Sequence, residues 1–198
     1  MIEQRLKKAG RALGVPGAEL LNDFADAAGD LVDVAYTEIE SPLGTWLAAM
    51  TKRGLVKIAF NPEFDDVLDE LSERVSPRIV KVPSRFDELR REFDEYFEGK
   101  RRDFDIPLDW ELVQGFNLKV LRATAKIPYG KMSTYKTMAT QAGSPRAARA
   151  AGNALHNNPI PLVVPCHRVI GSGGSLVGYG GGLPMKEFLL KLEGALDR

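Results

Sequence analysis

Two residue types that this chain otherwise avoids stand side by side in NNPIPLVVPCHRVIGSGG. Cys166 is the only cysteine among 198 residues, and His167 is one of two histidines. A thiol becomes a strong nucleophile when a base, a cation or a helix N-terminus stabilises its thiolate, so the pair points to covalent chemistry at sulfur. A lone cysteine is more often a small buried hydrophobe. Here, however, Pro165 restricts the backbone before it, apolar PLVV leads into it, and His167 and Arg168 follow at once. Neighbours on an extended segment point to opposite sides. The two can therefore cooperate only across a turn, a helix start or a bridging water. Downstream, GSGGSLVGYGGG sets Tyr179 in a glycine-rich loop suited to wrapping a flat ligand, and PMKEFLLKLEG reads as a helix with Glu187 on its first turn. One cysteine can form neither an internal disulfide nor a multi-cysteine zinc site, and it fits a reducing, cytosolic setting.

The elements around this stretch are legible in outline. A chain with 44% hydrophobic residues has enough apolar content for a core. No run approaches the ~20 apolar residues that span a bilayer, and MIEQRLKKAGRALG lacks the apolar middle of a signal peptide. A cytoplasmic protein without a membrane partner is expected. Residues 1–30 read as a helical extension broken at GVPG, with no residues that suggest chemistry. VDVAYTEIE, SPLGTWLAAM and LVKIAF read as an antiparallel meander with turns at SPLG and TKRG. EFDDVLDELSERV is helical, RIVKV is a further strand, and SRFDELRREFDEYFEG is an amphipathic helix capped by its serine. The expected fold is α+β. A small N-terminal α/β domain with an antiparallel sheet (31–106) precedes a mainly helical domain (107–198).

That second part carries a helix over ELVQGFNLKVLRATAKIP, then two short helices, STYKTMATQAG and SPRAARAAGNALHNN. Ser144 is the expected N-cap of the latter, with Pro145 at the first helical position. The tight Gly-Ser-Pro joint makes a helix-turn-helix, although corners of this kind also occur in all-α cores. The second helix is almost free of bulky side chains. It either presses its backbone close to a partner while its arginines reach outward, or packs tightly in the core. Charge divides the same way. Residues 1–106 hold 16 Lys/Arg against 22 Asp/Glu, and residues 107–198 hold 11 against 5. No acid lies between Glu111 and Glu187, whereas nine Lys/Arg do. A polyanion partner and plain sampling explain that asymmetry equally well on charge alone.

The run NPIPLVVPCHRVIGSGGSLVGYGGGLPMKEFLLKLEG resembles the active-site region of the O6-alkylguanine-DNA alkyltransferases, the methylated-DNA–protein-cysteine methyltransferases. IPYGKMSTYKTMATQAGSPRAARAAGNAL is similar to their helix-turn-helix in order and spacing. The resemblance is close over about 116–194, looser over 34–110 and absent from 1–30. It implies transfer of an alkyl group from guanine O6 in duplex DNA to Cys166, once per molecule, with the base extruded from the minor groove. O4-alkylthymine stays open as a second substrate, and no cofactor or metal is implied. His167 would act as a base through a water, held in the right tautomer by Glu187, and Asn158 would brace the turn before the cysteine. Tyr135 would supply a hydroxyl to the guanine ring nitrogen and a backbone N–H near Gly180 would face the oxygen, with Val169 and Tyr179 also against the base. Arg149 would stand in for the extruded base. Ala148, Ala150 and Gly152 would let its helix approach the groove, and Ser144, Thr134, Lys136 and Ser172 would contact DNA. The expected partner is double-stranded DNA containing alkylated guanine, bound by a monomer, with cooperative assembly on DNA left open.

Three other readings compete. A non-catalytic damage-recognition protein would lack the reactive cysteine. A Cys-His-Glu hydrolase would not need an Ala/Arg helix or so long a stretch without acids. A plain DNA-binding regulator would have no use for the glycine-rich loop.

Overall fold

A computed structural model describes residues 32–60 and 64–197. The expected extension over residues 1–30 lies outside the described residues. Strands β1 (Val34–Ser41), β2 (Gly44–Thr51) and β3 (Gly54–Phe60) pair antiparallel in sequence order. Alternating burial along β1 puts Ala35, Thr37 and Ile39 in the core while Glu38 and Glu40 face out. The short β4 (Ile79–Lys81) follows helix α1 (Phe64–Arg74) and pairs parallel to β1, giving the order β3-β2-β1-β4. The meander is thus extended by one parallel edge strand, which the intervening helix makes possible.

Helix α2 (Asp87–Phe97) crosses the sheet and buries Leu89, Phe93 and Tyr96. Trp46 of β2 is completely buried, edge-on to Phe60, Phe93 and Phe97. The sequence places a serine cap on this helix. The structure instead sets Ser84 inside a 3-10 turn, Pro83–Phe86, and begins α2 three residues later with no side-chain cap. Pro83 favours that tight first turn.

The outer edge of β3 is covered by chain from the second half. Leu55 N–H donates to Pro107 O at 2.8 Å, and Ile58 N–H donates to Pro159 O at 2.7 Å. Gly54 adopts φ 136°, and a Cβ there would fall 2.1 Å from Pro107 O, so only glycine permits the contact. The sheet edge therefore fixes the turn that begins at Asn158.

The second half contains α3 (Gly115–Thr124), α4 (Tyr135–Gln141), α5 (Ala148–His156) and α6 (Gly182–Leu192). Helix α3 is shorter than its sequence suggests. It starts only after Gln114, because Gly115 has φ 58°, and it ends before the IPYG turn. Thr134 caps α4 by accepting the Thr137 N–H at 3.1 Å. The expected Ser144 cap of the next helix is displaced: residues 144–147 form a turn closed by Ala147 N–H on Ser144 O, and α5 begins at Ala148. Ala151, Ala154 and Leu155 face inward, which lets the small helix sit close against α3 and α4. The two-residue strands β5 (Ser133–Thr134) and β6 (Val169–Ile170) pair parallel and tie the start of α4 to the chain just after Arg168. No helix among the described residues is long and apolar enough to cross a membrane.

Candidate active site

Asn158 organises the approach to the cysteine. Its Oδ1 accepts the Ile160 N–H at 3.1 Å, and its Nδ2 donates to Val164 O at 2.8 Å and to Cys166 Sγ at 3.2 Å. Leu162 takes a left-handed φ of 71°, the one non-glycine to do so among the described residues. Such a conformation costs about 1–2 kcal/mol, so the surrounding bonds must hold it. The turn then enters a short 3-10 helix, Cys166–Arg168, with Cys166 N–H on Val164 O at 2.8 Å. This tight winding breaks the strand alternation that would have sent Cys166 and His167 to opposite sides.

Cys166 is 8% exposed and lies in a cavity of about 460 Å³, together with Tyr135, Arg149, Gly152, Val177 and Tyr179. Burial pushes its thiol pKa up, while the Asn158 hydrogen bond and the Lys186 charge push back. The resting sulfur is therefore a thiol that needs a base.

His167 is fully buried and Nε2 lies 2.9 Å from Glu193 Oε1. Burial above all, with Arg168 and Lys186 nearby, holds the imidazole pKa below its usual value against the pull of Glu193. The ring is thus neutral, and a carboxylate at Nε2 fixes the proton there. Nδ1, which has no protein partner, is left as the acceptor. Glu193 also accepts from Tyr96 Oη at 2.6 Å and from Arg168 through Nε and Nη2, each at 2.9 Å. Burial alone would raise its pKa, but the hydrogen bonds from His167 and Arg168 outweigh it and bring the value down to about 2.

The carboxylate expected at His167 was Glu187, and the structure corrects this. Glu187 is 49% exposed and pairs with Lys191 at 2.9 Å on the outer face of α6. Glu193 follows the buried positions Lys186 and Leu189 by seven and four residues, which puts it on the inward face.

A model of the 6-O-methylguanine DNA methyltransferase DNA-binding domain matches residues 115–195, and one of the same enzyme's ribonuclease-like domain matches residues 34–110. The chain belongs to the 6-O-methylguanine DNA methyltransferase family. The methylated-DNA–protein-cysteine methyltransferase of Methanosarcina barkeri is 42% identical over 80% of this chain and 96% of its own length. The inducible enzyme of Bacillus subtilis is 39% identical over 73% and 82%. Mycobacterium tuberculosis OGT in complex with DNA superposes with a TM-score of 0.69 at 36% identity, covering 81% of this chain and 93% of that one. Sheet domain and helical domain together make this methyltransferase α+β.

Of the residues singled out in the sequence, the cavity gathers Cys166, Tyr135, Tyr179, Arg149, Ala148 and Gly152. Tyr179 stands edge-on to His167 with ring centroids 6.4 Å apart, and its hydroxyl has no protein partner. The Tyr135 hydroxyl donates to Val177 O at 2.9 Å. Gly180 is exposed and outside the cavity lining, where Val177 and Gly178 stand instead. Val169 is fully buried in β6 and is not among the residues that line the cavity. Lys136, Ala150 and Ser172 are exposed away from the cavity lining, Thr134 is engaged as a helix cap, and Ser144 is half-buried in the turn before α5.

Sequence reasoning passed over Lys186. Its buried Nζ donates to Val169 O at 2.6 Å and to Val177 O at 3.0 Å, stapling the glycine-rich loop to β6. Burial lowers its pKa, and a thiolate at Cys166 would push it back up. The available signal was a lysine at the spacing of Leu189 and Leu190 in an otherwise apolar stripe. Among the described residues no cluster of His, Cys, Asp and Glu could hold a metal ion.

Proposed function

We propose that this methyltransferase repairs DNA by moving the alkyl group of an O6-alkylguanine onto Cys166, once per molecule. The observation that carries the reading is the sulfur lying in a cavity, next along the chain to a neutral histidine. That histidine's outer nitrogen is held by Glu193 while its Nδ1 is free to accept.

In this reading the Cys166 proton passes through a water to His167 Nδ1, and Glu193 stabilises the imidazolium that forms. The thiolate attacks the alkyl carbon in line. An S–C bond forms, the C–O6 bond breaks, and the electron pair stays on guanine, which then takes up one proton on its ring. Tyr135 turns its hydroxyl from Val177 O to that ring nitrogen, and the proton lost by sulfur balances the one gained by the base. The thioether is stable, and Cys166 is the only thiol in the chain, so nothing in the sequence regenerates it.

Guanine O6 lies inside the stack, and extruding the base costs a few kcal/mol. Arg149 and Gly152, both at the cavity wall on α5, suit a helix that enters the minor groove and fills the space the base leaves. The match to a DNA-binding domain, and the Mycobacterium tuberculosis OGT in complex with DNA, support duplex DNA as the partner.

The test is mass spectrometry after mixing with a duplex containing O6-methylguanine. The expected result is one added methyl on the Cys166 peptide, with reaction ending at one equivalent. Repeated turnover, or an unmodified cysteine, would reject the proposal.

A further inference from the structure

A second concavity of about 660 Å³ lies against α3 and α4, with Lys119, Arg122, Lys126 and Lys131 around an apolar floor that includes Met138. All four cations are exposed, and none makes an ion pair or side-chain hydrogen bond among the described residues. The cations of the sheet half behave differently. Lys57 pairs with Glu70, Arg78 with Asp33, Lys100 with Glu98 and Arg101 with Glu95. Four like charges gathered without a neutralising acid repel one another, so the protein carries this groove at a cost that a bound polyanion removes.

The groove adjoins the catalytic cavity. Ser133 lines the groove and Tyr135 lines the cavity, two residues and at most about 7 Å of chain apart. Helix α4 borders both, with Tyr135 at its start lining the cavity and Met138 and Gln141 further along it lining the groove. A duplex seated on α5 presents phosphates every few ångströms along each strand, well beyond the width of one helix.

The geometry points to the groove as a second, sequence-independent DNA site: it takes the phosphate backbone of the same duplex flanking the lesion, next along α4 from the reacting base. This rests on the repair reading of the cavity. The groove supplies affinity and orientation and takes no part in the transfer.

The probe is an undamaged duplex, titrated against the full chain across a range of salt. Replacing Lys119, Arg122, Lys126 and Lys131 together by Gln is expected to weaken binding at least about tenfold at 0.1 M salt. The slope of log affinity against log salt should fall by up to about 0.9 for each cation removed. The pairs Lys119→Gln with Arg122→Gln, and Lys126→Gln with Lys131→Gln, should each give about half that change, which keeps the proposal testable if the fourfold variant fails to fold. Reaction of Cys166 with free O6-benzylguanine, which has no phosphates, is expected to stay unchanged. The same fourfold charge change at Arg78, Lys81, Arg91 and Lys100 should leave the slope near that of the unaltered chain. An unchanged slope in the groove variants overturns the proposal and leaves the groove to another partner, such as an acidic protein surface. Equal losses in both fourfold sets assign the effect to net charge and overturn it too. Failure of the repair reading would show separately, as an unaltered chain whose Cys166 takes no methyl from a damaged duplex.

Discussion

At the scale of single residues, the site turns on which carboxylate holds His167. Glu193 is fully buried and serves four protein groups: Tyr96, His167, Arg168 and, at 3.3 Å, the Gly130 N–H. Replacing it by Gln leaves the buried Arg168 guanidinium without its counter-charge, a change that costs about 3–5 kcal/mol in comparable pairs. It also removes the group that keeps the imidazole proton on Nε2. Glu193→Gln is therefore expected to slow methyl transfer at least tenfold and to shift its pH dependence, besides lowering Tm. Glu187→Gln, at an exposed pair one turn apart, should alter stability by no more than about 0.5 kcal/mol and leave the rate alone. Single-turnover rates on both variants, taken at several pH values, decide the matter, and equal effects would return the role to Glu187. The resemblance and an expected place on the first turn of a helix starting at Pro184 pointed to Glu187. The helix instead begins at Gly182, which puts Glu187 on its second turn and on the outward face. The period of the buried positions, running from Lys186 through Leu189 to Glu193, pointed to the right face.

At the scale of elements, α5 is a helix shaped by what it leaves out. Ala151 and Ala154 are buried, Gly152 leaves the Tyr135 ring 3.6 Å from where a Cβ would stand, and Arg149 is exposed at the cavity wall. The Ala/Arg composition was explained in two ways from sequence, by close packing in the core and by close approach to a partner. The structure shows that one helix does the first on its inner face and is free for the second on its outer face. Among the described residues Arg149→Ala removes no hydrogen bond or ion pair, so the fold should persist. On the proposed role of Arg149 as stand-in for an extruded base, repair of O6-methylguanine in duplex DNA is expected to fall by tenfold or more, since extrusion costs a few kcal/mol. Reaction with free O6-benzylguanine should hardly change, and equal losses on both substrates would remove Arg149 from base extrusion. The strands, the helix-turn-helix and the Asn158 turn were legible because their signals are local: alternation, a cap, an Asn-Pro turn. The start of α5 and the parallel pairing of β4 were not. Both are set by contacts with distant chain, which local propensity does not encode.

At the scale of the whole molecule, Glu193 joins the two halves, since Tyr96 belongs to α2 while His167 and Arg168 belong to the catalytic turn. That placement makes stability depend on acid in a definite sense. The Glu193 pKa is lowered to about 2 in the folded chain, against about 4.3 for an unfolded glutamate. Between these values the unfolded chain binds the extra proton. The contribution of Glu193 is thus complete above about pH 4.3 and disappears as pH falls toward 2, on the order of 3 kcal/mol in all. His167 acts in the same direction at higher pH. Burial keeps its folded pKa below 6.5, so the unfolded chain protonates first and stability begins to fall once the pH drops beneath that value. Glu92 opposes both, because burial raises its pKa and its protonation favours the folded chain. Urea unfolding at a series of pH values should therefore show a shallow loss below about pH 6.5 and a steeper one between about 4.3 and 2. In Glu193→Gln the second step should be smaller, leaving what Glu70 contributes through its own lowered pKa. If the variant and the unaltered chain lose stability in parallel down to pH 2, the carboxylate that ties the sheet half to the catalytic turn is not charged in the way its hydrogen bonds require.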